Sequence, residues 1–144
     1  MRGKCLCGDI EFEVQAPPQR LYQCHCSLCR KQSGAAGNAA FVVKDEQLRW
    51  LSGEALIHSY VKPTGFRSDF CSRCGSPVPN RIQSTSYVWV PAGLLEDPGT
   101  LEIAVHLFVG SKASWEPIPT TGVIYEAMPA FAEVFAYLHP NAGT

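Results

Sequence analysis

The sequence predicts a mainly β fold built of many short strands, and three observations lead to this prediction. Twelve glycines and eleven prolines are scattered along the chain and divide it into short segments. Residues 9–14 alternate between polar and apolar side chains, with Ile10, Phe12 and Val14 on one face, which is the pattern of a half-buried strand. Seven cysteines lie in three short motifs, and such crowding is more typical of metal binding than of an apolar core.

The remaining elements follow in order along the chain. Residues 26–32 can form one helical turn, and the small residues 33–38 predict a loop. Asp97, Pro98 and Gly99 mark a turn within residues 93–99. Apolar residues at helical spacing, Phe131, Val134, Phe135 and Leu138, predict a short helix near the end that covers the core. Further strands are predicted at residues 40–43, 48–51, 56–61, 66–70, 86–90 and 101–108.

Length and charge restrict the classes of protein that the chain can belong to. A chain of 144 residues predicts a single domain, residues 1–144, and 46% apolar with 17% charged residues is a globular balance. Twelve cations against thirteen anions leave no basic surplus, so nucleic-acid binding is not expected. No apolar run approaches the length of a membrane helix, and the first residues lack the apolar stretch of a signal peptide. We therefore expect a cytoplasmic protein without a membrane partner.

The cysteines divide into two outer pairs and a central trio. The outer pairs are Cys5-Leu6-Cys7 and Cys71-Ser72-Arg73-Cys74, and each is followed by a glycine that can take a positive φ; the trio is Cys24, Cys26 and Cys29. Four thiolates from the outer pairs would close a tetrahedral structural zinc site, whereas the trio would leave a fourth position for water or substrate. The sequence thus predicts two Zn²⁺ per chain, although the trio combined with one outer pair also satisfies the ligand count. A metal-free redox group formed by the trio is a further alternative.

Several polar residues near the trio are candidates for further roles. His25, between two cysteines of the trio, could close the central site as a fourth ligand, although a histidine in that position usually points away from the metal. Arg30 follows the trio directly and could attract an anionic thiol, and either Lys112 or His106, at a strand end, could face the cleft. Ordinary surface or structural roles remain open for Arg30, His106 and Lys112.

The motifs CLCGD, CHCSLCRKQSG, FCSRCGSPV and HLFVGSKASWEPI, in this order, resemble the glutathione-dependent formaldehyde-activating enzyme and centromere protein V family. The resemblance runs from about Gly3 to Pro117. It implies a β-tent of packed short antiparallel sheets, a structural zinc on the outer cysteines and a catalytic zinc on the trio. It also implies condensation of formaldehyde with glutathione to S-(hydroxymethyl)glutathione, which is a carbon–sulfur lyase reaction in reverse.

Taken together, these expectations describe a small zinc enzyme that acts at the carbon–sulfur bond of a thiol–aldehyde adduct. A zinc ion held by three thiolates is a weak Lewis acid but soft enough to accept a further sulfur, so the expected partners are a small thiol such as glutathione and a small aldehyde. Arg30 and Lys112 are the expected substrate contacts. The alternative is a non-catalytic, zinc-stabilised binding module, in which a fourth protein ligand closes the central site.

Overall fold

The computed structural model describes residues 1–142, and its elements are mainly strands. Two short helices, α1 (Ser27–Ser33) and α2 (Phe131–Leu138), accompany them. In chain order the strands are β1 (Arg2–Lys4), β2 (Glu11–Val14), β3 (Arg20–Cys24), β4 (Asn38–Lys44), β5 (Leu48–Ser52), β6 (Ile57–Val61), β7 (Arg67–Cys71), β8 (Asn80–Arg81), β9 (Tyr87–Pro91), β10 (Glu102–Leu107) and β11 (Val123–Ile124). The predicted fold class is confirmed, and the predicted strands coincide with observed ones except at their ends, such as Leu56, which ends a 3₁₀ turn.

The chain divides into two compact units. The first comprises Met1–Pro17 and Val42–Gly99. Within it β1, β2 and β5 form an antiparallel sheet, β6 pairs with β7, and β8 pairs with β9. Ile10, Phe12 and Val14 are fully buried, as their alternation predicts, and Phe12 packs edge-on against Trp50. Burial of this one face fixes the register of β2 between its neighbours.

The second unit comprises Pro18–Phe41 and the chain from Thr100 onward. β3 lies between β10 and the first half of β4, antiparallel to β4 but parallel to β10, and β11 adds in parallel to the other side of β10. Parallel pairing is a feature that the sequence patterns did not predict. Its consequence is that the last residues of β3 and β10 end side by side, with Leu107 opposite Cys24.

The two helices have different local causes. Cys26 caps α1, since its Sγ accepts a hydrogen bond from the backbone N–H of Cys29 at 3.4 Å, and Gly34 ends the helix in the left-handed region with φ 70°. α2 packs against β3 and β10 with Val134 and Leu138 buried, which confirms the predicted terminal helix. Neither helix, and no other helix within residues 1–142, has the length and apolar character needed to cross a membrane.

Candidate metal centres

One group of cysteines lies entirely in the first unit and is called here the four-cysteine cluster. Its members are Cys5, Cys7, Cys71 and Cys74, whose sulfur atoms all lie within 4.8 Å of one another. The Sγ of Cys7 is 3.6 Å from the Sγ of Cys5 and 3.8 Å from that of Cys71. These spacings suit four sulfur ligands on one tetrahedral ion, in which neighbouring sulfurs lie about 3.8 Å apart. The structure therefore brings the two outer cysteine pairs together, as the sequence predicts.

Two similar turns build the four-cysteine cluster. Cys5 directly follows β1 and Cys71 ends β7, and each pair is completed in the turn that comes next. Gly8 and Gly75 take φ of 84° and 76°, and their N–H groups donate to the carbonyl oxygens of Cys5 and Cys71. Glycine adopts this conformation without the strain that a Cβ would add, and the turned backbone brings N–H groups near the sulfurs.

The interior side of the four-cysteine cluster is apolar and its outer side is open. Cys5 and Cys71 are buried with Ile10 and Val78, whereas Cys7 is exposed. Partial burial raises the pKa of Cys74, but the backbone N–H groups of Ser76 and Cys7 outweigh it and lower this pKa to about 6. Cys74 therefore offers a thiolate at neutral pH, which is the form that binds a metal ion.

A second group, called here the three-cysteine cluster, lies entirely in the second unit. It consists of Cys24, Cys26 and Cys29, whose sulfurs also lie within 4.8 Å of one another. Cys24 is the last residue of β3, Cys26 caps α1 and Cys29 lies in the first turn of that helix. Cys24 and Cys29 are buried, and Cys26 is partly exposed. Within residues 1–142, no fourth histidine, cysteine or carboxylate joins this group.

Hydrogen bonds among the three thiols determine which sulfur of the three-cysteine cluster is ionised. The thiols of Cys24 and Cys29 stabilise the thiolate of Cys26 by hydrogen bonding and lower its pKa to about 2. In turn, the hydrogen bonds with Cys24 and Cys26 raise the pKa of Cys29, and that with Cys26 raises the pKa of Cys24 to about 11. One sulfur is thus ionised and two keep their protons unless a cation offsets the added negative charge. Three converging sulfurs of this kind are the donor set that suits zinc and other thiophilic ions.

His25 does not point its ring nitrogens at the sulfurs. Its Nδ1 lies 2.9 Å from Oε2 of Glu116, and its Nε2 lies 2.9 Å from Nδ1 of His106. The ring is fully buried and His106 is 5% exposed. Burial, followed by the nearby His25, lowers the pKa of His106 and favours its neutral form. Both ring nitrogens of His25 therefore have other partners, and the structure does not place His25 as the fourth ligand of the three-cysteine cluster.

Arg30 and Lys112, the expected substrate contacts, both lie in the second unit. Arg30 donates from Nη2 to the carbonyl oxygen of Ser111 at 3.3 Å, and its buried Nε has no hydrogen-bond partner within the described chain. Lys112 donates from Nζ to the carbonyl oxygen of Glu116 at 2.9 Å and thereby closes the turn that carries this glutamate. Arg30 thus retains an unused donor, whereas the ammonium group of Lys112 is hydrogen-bonded within its own loop.

The loop that follows α1 packs closely against the three-cysteine cluster. Gly37 lies so near the backbone of Cys24 that a Cβ at this position would overlap the Cys24 carbonyl oxygen. Ser33 holds the loop by donating from Oγ to the carbonyl oxygen of Gly37 at 2.8 Å. Of the small residues predicted to form a loop, Gly37 is therefore required by a close approach of two backbones.

Glu116 is the polar residue near the site that the cysteine spacing could not reveal. It lies 91 residues from His25, and the only sequence signal for it is its place within the segment HLFVGSKASWEPI. Parallel pairing of β3 with β10 carries this segment to the end of β3, so the contact depends on topology rather than on local pattern.

Fold and clusters define a class of protein: a mainly β chain with two thiol-rich sites that can each hold a metal ion. Residues 1–111 match the sequence profile of the family described as glutathione-dependent formaldehyde-activating enzyme, and the chain belongs to this family. Both clusters lie within the matched residues, whereas Glu116 lies beyond them.

Two similar proteins extend this comparison. A protein of Halomonas elongata named "Putative glutathione-dependent formaldehyde-activating enzyme" is 36% identical over 84 residues, which are 53% of this chain and 52% of the relative. The chain thus aligns with about half the length of this curated relative. A crystal structure of a Rhodobacter sphaeroides protein is 26% identical and covers 72% of this chain and 100% of its own, with a TM-score of 0.55. This likeness supports the fold but carries no statement of activity.

Proposed function

We propose that the protein is a cytoplasmic zinc enzyme that condenses glutathione with formaldehyde to S-(hydroxymethyl)glutathione, a carbon–sulfur lyase reaction in reverse. The observation that carries the proposal is the three-cysteine cluster, which offers three sulfurs and no fourth protein donor within residues 1–142. A three-ligand site leaves a position for substrate, and such sites are typical of catalytic metals. Family membership and the name of the Halomonas relative support the choice of thiol and aldehyde.

The two clusters would have different roles, one structural and one catalytic. The four-cysteine cluster, partly buried among apolar residues, would hold a closed zinc that joins β1 to the end of β7. The three-cysteine cluster would hold the second zinc, whose contribution is a soft Lewis-acid position that keeps a substrate thiol deprotonated near neutral pH. A reducing compartment such as the cytoplasm suits seven free cysteines.

The chain's own residues would bind and orient the substrate. In the reaction a bond forms between the thiol sulfur and the formaldehyde carbon, and the carbonyl oxygen gains the proton that the thiol loses. Arg30 would attract the anionic thiol through the positive charge of its guanidinium group. Lys112 would contribute positive charge near the same turn rather than a direct contact, because its Nζ is already bound to the Glu116 carbonyl oxygen. Gly37 and its loop would form a close backbone wall beside Cys24.

Cobalt substitution combined with exchange spectroscopy tests this proposal. With Co²⁺ in place of zinc, glutathione should change the d–d and charge-transfer bands of the three-cysteine cluster only, because the other cluster is closed by four sulfurs. NMR exchange between formaldehyde, glutathione and their adduct should then be faster with the enzyme. Cys29→Ala is the matched control and should abolish both effects while the four-cysteine bands persist.

Each failure has a distinct meaning. Thiol binding without faster exchange would reject this reaction and leave another thiol adduct as the substrate. No spectral change with any thiol would reject the enzyme and favour the non-catalytic, zinc-stabilised binding module. In that case a fourth ligand would have to come from outside the residues that now surround the trio, since both nitrogens of His25 are taken.

A further inference from the structure

A chain of two hydrogen bonds, one buried and one partly buried, runs from Glu116 through His25 to His106. Both links measure 2.9 Å, His25 is fully buried, and the Glu116 side chain is 13% exposed. His25 is also fixed through its backbone, because its N–H donates to the carbonyl oxygen of Leu107 at 2.9 Å. The residue between two cysteines of the trio is therefore held at three points, each supplied by the segment that begins with β10.

Position 25 controls the geometry of the three-cysteine cluster. It separates Cys24 from Cys26, so any change in its backbone torsions displaces one sulfur relative to the other. A hydrogen bond that fixes the ring also limits these torsions, because the side chain and backbone of one residue move together. The cluster has three sulfurs and no closing protein ligand among residues 1–142, so it depends on such support more than a closed site does.

Glu116 is itself held in place. Its backbone N–H donates to the carbonyl oxygen of Ala113 at 3.1 Å, and its carbonyl oxygen accepts from Nζ of Lys112 at 2.9 Å. Burying a carboxylate against a buried imidazole costs desolvation free energy, and an apolar pair would fill the space without that cost. The polar pair differs from an apolar one in that it fixes an orientation, because the Glu116 Oε2 atom accepts a hydrogen bond from the His25 ring in one ring position only.

We propose that Glu116 is a positioning residue of the three-cysteine cluster, acting through the His25 ring to hold the sulfurs at the spacing a metal ion requires. The proposal rests on the proposed metal binding of that cluster. It assigns a role to a residue outside the region matched by the family profile. It also explains why the turn of Lys112 is tied to this glutamate.

Cobalt titration of the full chain in competition with a chelator tests the role. The spectrum of Cys29→Ala reports the four-cysteine cluster alone, and subtracting it isolates the three-cysteine cluster. Three variants then separate reach from charge: Glu116→Ala lacks both, Glu116→Asp keeps charge but falls short by one methylene, and Glu116→Gln keeps an acceptor oxygen at the same reach. Glu133→Ala is the matched control, because Glu133 lies in the same unit and accepts an exposed hydrogen bond from Tyr125.

A positioning role predicts a specific pattern. Glu116→Ala and Glu116→Asp should weaken Co²⁺ binding at the three-cysteine cluster by about 10–100-fold, the usual effect of losing an outer support of a metal site. Glu116→Gln and Glu133→Ala should keep the wild-type affinity, and the four-cysteine cluster should be unaffected in all of them. If Glu116→Ala does not fold, the difference in Co²⁺ affinity between Glu116→Asp and Glu116→Gln still tests the proposal.

Other outcomes overturn the proposal in distinguishable ways. Equal affinity in Glu116→Asp and the wild type would show that the reach to His25 is irrelevant to the sulfurs. A loss in Glu116→Gln as large as that in Glu116→Ala would show that an acceptor at the same position is not sufficient and that the carboxylate charge is required. A wild-type trio that binds no Co²⁺ would reject the proposed function together with this role, whereas the first two results leave the proposed function intact.

Discussion

Gly37 and Cys24 approach each other so closely that the Cys24 carbonyl oxygen occupies the place of a Cβ at position 37. The obstacle is backbone at the end of β3, which cannot rotate away as a side chain would. We expect Gly37→Ala to lower the free energy of unfolding by about 1–3 kcal/mol, as overpacking does. It should also weaken metal binding at the three-cysteine cluster.

Denaturant unfolding and cobalt titration measure both effects. Gly93→Ala is the control, because a Cβ there meets no atom within 4 Å and the change should be nearly neutral. If Gly37→Ala proved as harmless as Gly93→Ala, the loop would be free to retreat from Cys24.

The two clusters should differ in their importance for folding. Cys71→Ser would remove a ligand of the proposed structural zinc, which would tie the end of β7 to the start of the chain, so it should unfold or aggregate the protein. A structural zinc site can contribute about 10 kcal/mol or more to folding. Cys26→Ser should leave the fold largely intact, because the three-cysteine cluster closes no long loop. Circular dichroism, thermal unfolding and metal analysis compare the two, and a more damaging Cys26→Ser would reverse the proposed roles.

Metal binding at the three-cysteine cluster should depend steeply on pH. Before binding, Cys26 is ionised at neutral pH because its pKa is lowered to about 2, whereas Cys24, with a pKa raised to about 11, keeps its proton. The raised pKa of Cys29 keeps a second proton there. Binding to three thiolates therefore releases two protons, so affinity should rise about a hundredfold per pH unit near neutrality and fall equally as pH decreases.

Cobalt affinities between pH 6 and 8, combined with proton release in weakly buffered solution, give this slope directly. Cys29→Ala supplies the background of the other cluster. An affinity that does not change with pH would contradict the protonation states described above.

The Arg67–Asp69 pair should stabilise the first unit more than an exposed ion pair does. Arg67 binds both carboxylate oxygens, at 2.8 and 3.0 Å, and Asp69 is 5% exposed. Arg67→Ala leaves a buried carboxylate without this partner, and we expect a loss of about 1.5–3 kcal/mol in the free energy of unfolding. Arg49→Ala, which breaks a more exposed pair with Glu13, should cost less than about 1 kcal/mol.

Thermal and denaturant unfolding of the two arginine variants provide the comparison. Removing both partners, as Arg67→Ala with Asp69→Ala, should restore part of the loss because no buried charge remains unpaired. Equal effects of Arg67→Ala and Arg49→Ala would argue against a special role of burial.

Local sequence patterns were sufficient to predict features that depend on a single strand, turn or helix. The alternation around Phe12 fixed the buried face of β2, and the glycines after the outer cysteine pairs take the expected positive φ. The residues of α2 were predicted from their spacing. The contact between Glu116 and His25 could not be predicted, because it depends on β10 pairing in parallel with β3, and no local pattern encodes the partner of a strand.

The separation of the cysteines along the chain has a consequence for the order of events during biosynthesis. All three members of the central trio emerge from the ribosome within six residues, whereas Cys7 and Cys71 are 64 residues apart. The outer pairs must wait for the later half of the chain, and the trio, although its sulfurs are made together, still awaits the segment that supports His25 through Leu107 and Glu116. The thiols of both clusters consequently stay open to oxidation until the later half of the chain has been made.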